Sequence, residues 1–197
     1  MNYDEIENLV HRSSQAYVAK DFSTAEILAQ EALHAVDEIS ISADEKKYLV
    51  LHARAHTILG NIALERSNYK LALEYYTLSC SKYEAINHRE GIAGIYCSIG
   101  NVFSGISDYT KELEYLEKSL AIYQELGNIS GMAKIRGNFG VVYRNISEYD
   151  KALEYYHQSL ALYEELGEKS GMARNYGNIG GVHWNLSEND TALMYYR

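Results

Sequence analysis

The chain has 197 residues, 47% of them hydrophobic and 23% charged, enough to bury one core or to stack several repeats. A formal net charge of -9 argues against nucleic acid as a partner, because neutralising phosphates takes clustered Lys and Arg. No apolar run approaches the roughly 18 residues of a membrane span, and the start Met1-Asn2-Tyr3-Asp4-Glu5 lacks the basic-then-apolar pattern of a signal peptide. We therefore expect a cytoplasmic protein with neither membrane nor nucleic acid as partner. Proline is absent and tyrosine numbers 19, a composition that favours uninterrupted helices. Cys80 and Cys97 match neither a disulfide framework nor a zinc pattern, and read as two buried thiols.

In chain order, residues 5–40 read as a degenerate copy of a unit that recurs later. In it Asp21-Phe22 and Ala25 correspond to Asn68-Tyr69 and Ala72. The unit then repeats every 40 residues, over 44–86, 89–127, 129–167 and 169–197, the last truncated in its second half. Between the windows starting at Tyr109 and Tyr149, about 23 of 40 positions are identical. Gly60, Gly100, Gly140 and Gly180 share one register, as do Ser67, Ser107, Ser147 and Ser187, and Gly91, Gly131 and Gly171.

Each unit predicts two helices. The first carries Ile135, Phe139, Val142 and Tyr143, or Ile95, Ile99, Val102 and Phe103, as one apolar stripe. The second carries Leu153, Tyr156, Leu160 and Tyr163 and ends at Leu166-Gly167, where glycine supplies a left-handed turn. Ser107-Asp108, Ser147-Glu148 and Ser187-Glu188 are expected to cap the second helices. Ile86-Asn87 stands as a weaker version of the Leu-Gly ending. Four glycines in register inside helices need a compensating reason, which is close approach of the paired helices.

These residues resemble the tetratricopeptide repeat in a long variant of about 40 residues. The family's small residue in the first helix matches Gly60, Gly100, Gly140 and Gly180, and the large residue before it matches Leu59, Ile99, Phe139 and Ile179. Its early alanine in the second helix matches Ala72, Ala152 and Ala192, and its aromatic matches Tyr76, Tyr156 and Tyr196. Glu112 and Leu116 depart from that pattern, and the closing proline is missing throughout. The resemblance implies an all-α fold, a right-handed α-α superhelix (solenoid) of antiparallel helix pairs, with first helices lining the concave surface.

On that face the fourth unit places Lys134, Asn138, Val141 and Asn145, and the fifth Arg174, Asn178, Gly181 and Asn185. Earlier units give Arg54, Ile58 and Asn61, then Gly94, Ser98 and Asn101, with Arg144 and Trp184 beside the row. The expected partner-binding residues are Arg54, Asn61, Asn101, Lys134, Asn138, Arg144, Asn145, Arg174, Asn178, Trp184 and Asn185. Asparagine amides suit an extended peptide backbone, the basic residues an acidic one, and Trp184 an aromatic anchor. The ladder resembles those of kinesin light chains and the spindle-orientation adaptor.

Other signals dissolve. Gly137-Asn138-Phe139-Gly140 has no preceding strand and no following Gly-Lys-Ser/Thr, so it is no phosphate loop. His52 and His56 share a helix face, but no glutamate follows in the metalloprotease pattern and no third ligand is visible. Glu164-Glu165 lie on different faces, and no nucleophile–base constellation appears. No enzyme, cofactor or metal is expected. The function expected is a protein–protein interaction scaffold binding a peptide or protein in the concave groove. Two alternatives stand: an N-terminal regulatory module of a signalling enzyme of the nucleotide cyclase or histidine kinase type, and a self-association module forming a homo-oligomer through the incomplete C-terminal repeat. The unfinished last unit suggests a piece of a longer protein.

Overall fold

A computed structural model describes residues 1–39 and 45–197. The expected repeat boundaries at residues 40 and 44 lie outside the described residues. Among the described residues there are ten α-helices and no strand: α1 (Tyr3–Val18), α2 (Phe22–Asp37), α3 (Glu45–Glu65), α4 (Tyr69–Ala85), α5 (Arg89–Gly105), α6 (Tyr109–Glu125), α7 (Ile129–Asn145), α8 (Tyr149–Leu166), α9 (Lys169–Asn185) and α10 (Asn189–Tyr195). The fold is all-α, of the helical solenoid kind. It divides into two compact units, Met1–Ile106 and Ser107–Arg197. No described helix is long and apolar enough to cross a membrane.

One turn type recurs between helices. A single residue takes positive φ, as in Ser67 (57°), Asn87 (53°), Ser147 (64°) and Gly167 (66°). Its N–H and that of the next residue then bond back into the last turn, for example Ser147 to the Arg144 carbonyl at 3.1 Å and Glu148 to the Tyr143 carbonyl at 2.8 Å. This is the Schellman ending, which satisfies carbonyls a helix C-terminus would otherwise leave open. The serines are therefore not caps of the second helices. They end the first helices, and the residue after each is the N-cap. Asn68 and Asp108 accept a backbone N–H there, whereas Glu148 and Glu188 make no such bond. Aspartate and asparagine belong to the short side chains preferred at this position, and glutamate does not. Asn87 ends α4 as the glycines end α6 and α8, because asparagine tolerates the left-handed region.

In the first unit the core is built from Ile6, Val10, Ala25, Ala29, Ala32, Leu51, Ala55, Leu59 and Ile62. In the second, Ala152, Tyr156, Leu160, Ile179 and Val182 form a cluster. The registered glycines accept tyrosine rings. A Cβ at Gly60 would stand 2.6 Å from Tyr76, and one at Gly140 2.5 Å from Tyr156. The other register does the same between repeats, with Gly91 against Tyr83 and Gly171 against Tyr163. Tyr76 and Tyr156 are wholly buried, each contributing about 1.5–3 kcal/mol if it behaves like a buried Phe. Ser79 and Ser159 tie the second helix to the first, each hydroxyl donating to a carbonyl, of Ala53 and Ala133.

Candidate functional site

Within the second unit, α7 exposes Lys134 and Asn145 and holds Asn138 and Val141 half-buried. On α9, Arg174 and Asn185 are exposed and Asn178 half-buried. Arg144, half-buried at the end of α7, reaches toward α9: its Nη1 lies 3.8 Å from where a Gly181 Cβ would be. The Tyr196 hydroxyl lies 3.8 Å from the same point. Among the described residues neither Lys134 nor Arg144 has a carboxylate partner. Trp184, 60% exposed, stands one turn beyond Gly181. Arg174 is tied down instead, donating from Nη2 to the Tyr163 hydroxyl at 2.7 Å. Beneath this face the Tyr156 hydroxyl is buried without a partner. Burial pushes its pKa up to about 12, against the pull of the Arg144 charge.

The first unit treats the matching positions differently. Arg54 lines a depression of about 360 Å³ with Asp4, Glu7, Asn8 and His11 of α1, so its charge faces carboxylates of its own chain. Asn61 accepts the Tyr76 hydroxyl at 2.6 Å, which commits its carbonyl oxygen to the fold rather than to a peptide backbone. Ile58, expected on the same row, is a core residue at 7% exposure. Asn101 is exposed on α5.

Elsewhere the chemistry is muted. His52 and His56 are buried, with rings 4.6 Å apart. Burial lowers the pKa of both, that of His56 to about 4, so both are neutral near pH 7. The Cys80 thiol is pushed up to about 12 by burial and the nearby Glu84 charge, which suppresses thiolate chemistry. Among the described residues no group of three or more His, Cys, Asp or Glu could hold a metal ion. Sequence reasoning missed the hydroxyls of Tyr156 and Tyr196. The available signal was the loss, at Val141 and Gly181, of the asparagine found at Asn61.

Residues 131–197 match the model of the tetratricopeptide repeat. No curated protein sequence matches the chain. Solved structures share its fold at low identity. BtubC (BKLC) from P. vanneervenii is 19% identical over 98% of this chain and 77% of its own length, with a TM-score of 0.78. A Signal Transduction ATPase with Numerous Domains with a tetratricopeptide repeat sensor, from Pyrococcus horikoshii, is 18% identical with a TM-score of 0.78. The match covers 98% of this chain but 28% of that one. The Rap conjugation gene regulator of plasmid pLS20, solved in complex with the Phr* peptide, is 16% identical over 97% of this chain and 62% of its own, with a TM-score of 0.68. Residues 131–197 thus carry tetratricopeptide repeats, and the chain as a whole has the helical fold of that family.

Proposed function

We propose that the chain is a non-catalytic scaffold that holds a protein or extended peptide on the first-helix faces, foremost on α7 and α9. The observation that carries this is a face on which Lys134 and Arg144 have no carboxylate partner beside Asn138, Asn178 and an exposed Trp184. Cations without a carboxylate partner, set beside amides along a helix pair, suit an extended, acidic chain. The shared fold with a regulator solved in complex with a peptide supports the reading. The first unit's own first-helix faces, with Arg54, Asn61 and Asn101, are a weaker candidate by themselves, because Arg54 and Asn61 already face groups of their own chain.

The test is fluorescence polarisation against a positional-scanning library of acetylated nonapeptides. Changing Asn138→Ala together with Asn178→Ala should weaken the tightest pool by about 1–3 kcal/mol, two hydrogen bonds' worth, with helicity unchanged. Equal binding by the double variant contradicts the asparagine assignment. The second reading, a regulatory module of a larger signalling protein, is supported by the likeness to the sensor of a much longer ATPase. Self-association is the third: α10 exposes Leu193 (50%) and Met194 (75%). Concentration-dependent sedimentation separates it from the first.

A further inference from the structure

The repeat register sets one outward position on each second helix, two residues beyond that of Ala25, Ala72 and Ala152. α4, α6 and α8 hold an exposed glutamate there, Glu74, Glu114 and Glu154. α2 holds Ile27, 63% exposed. Packing does not demand it, since Ala25, Leu28, Ala29 and Ala32 already supply the buried face of α2. Ile27 borders a depression of about 510 Å³ whose apolar part it shares with Ala35 and Met1, the last 58% exposed. Glu31, His34 and Glu38 line the same depression, one α2 face with Ile27 at i+4, i+7 and i+11.

The charge around it is one-sided. Residues 1–39 hold eight acidic residues against Arg12 and Lys20, which places six of the chain's nine net negative charges there. Lys20 is already paired with Glu65 at 3.0 Å. The other long second helices answer their glutamates with lysine: Lys70–Glu74 at 4.0 Å, Lys118–Glu114 at 2.6 Å and Lys151–Glu148 at 3.5 Å. α2 has no lysine or arginine. Among the described residues Glu31 has no cationic partner, and Glu38 has the His34 imidazole at 3.5 Å. We infer that this α2 face is a second docking surface, and that its occupant is a cationic amphipathic helix of another protein. An α2 ridge at i, i+4 spacing is what a second helix packs along. A helix also sets an apolar stripe and its flanking charges at that same spacing. Its apolar side chain covers Ile27, Met1 and Ala35, and its lysines or arginines reach Glu31 and Glu38. The surface is independent of the α7–α9 reading and adds to it. A scaffold with both faces joins two partners of opposite charge.

The experiment uses the full chain and fluorescent, amidated peptides of about 18 residues, about 27 Å long as helices. One set is built from Leu, Lys and Gln, with a single leucine stripe flanked by lysine. A second replaces lysine by glutamate, and a third keeps the first composition in scrambled order. The first set is expected to bind about ten-fold more tightly than either other, to gain helicity on binding, and to weaken as salt rises. Ile27→Glu restores the residue of the other repeats at an exposed position, and should lower that affinity about ten-fold. Attraction by charge alone would strengthen instead, because the variant adds a negative charge. The sign of the change therefore separates docking from adhesion. Glu31→Gln with Glu38→Gln should weaken binding by a similar factor and flatten its salt dependence. Affinity kept or raised in either variant, or no preference for the striped cationic set, overturns the inference. Neither result touches the α7–α9 face, whose nonapeptide binding Ile27→Glu should leave unchanged.

Discussion

The pairs α3–α4 and α7–α8 are two copies of one device that have been finished differently. Each seats a buried tyrosine on a glycine, Tyr76 on Gly60 and Tyr156 on Gly140, and each locks its helices with a serine hydroxyl on an alanine carbonyl. Around that shared frame the first pair closes three polar groups within its unit, although His52 Nδ1 is buried without a partner. Asn61 takes the Tyr76 hydroxyl, Thr57 meets Ser79 at 2.8 Å, and Arg66 pairs with Glu26 of α2 at 2.8 Å. The second pair leaves the Tyr156 hydroxyl, Lys134 and Arg144 open. Packing positions tolerate little change, because interiors are close-packed. Polar positions on the first-helix face are freer to diverge, and there the copies have parted.

The comparison breaks most strongly under acid. His56 of α3 has a pKa lowered to about 4, and the matching positions on α5 and α7 hold Tyr96 and Arg136 in place of histidine. The folded pKa lies below the unfolded value, so the stabilisation is complete above about pH 6.5 and is lost as pH falls toward 4. The loss should approach about 3 kcal/mol in the first unit, read as accelerated amide exchange in α3 and α4 but not in α7 and α8. Uniform acceleration contradicts the assignment. Next comes the shared frame. Gly60→Leu and Gly140→Leu should each cost about 1–3 kcal/mol through overpacking against the tyrosine ring. Unchanged denaturant midpoints would refute the glycine–tyrosine seat. The smallest effect is the most discriminating. Tyr76→Phe should cost about 0.5–1.5 kcal/mol, while Tyr156→Phe should be neutral or stabilising, since it removes a hydroxyl without a partner. Equal costs would mean the two hydroxyls are equivalent after all.

The frame was legible in the sequence because packing imposes a period: Gly60, Gly140, Ala72, Ala152, Tyr76 and Tyr156 recur at 40 residues. The stripe Ile135, Phe139 and Val142 is core as its spacing requires. The turn serines misled because a left-handed residue and an N-cap sit side by side, and serine is familiar as the second. The face was harder. Ile58 belongs to the core because the apolar stripe of α3 is wider than one row. Asn61 and Arg174 are committed to Tyr76 and Tyr163 across helix boundaries. Such pairings depend on where a neighbouring helix stands, and no spacing along one helix reveals them.

The most direct test of the scaffold reading is to map binding by residue. An isotope-labelled chain would be titrated with the tightest amidated nonapeptide pool while backbone and arginine side-chain resonances are followed. The account predicts saturable shifts at Lys134, Asn138, Arg144, Asn178 and Trp184 on α7 and α9. The outward residues of α8, such as Glu154 and Glu165, should stay unmoved. Shifts centred on α8 and α10, or none at saturating peptide, would contradict it.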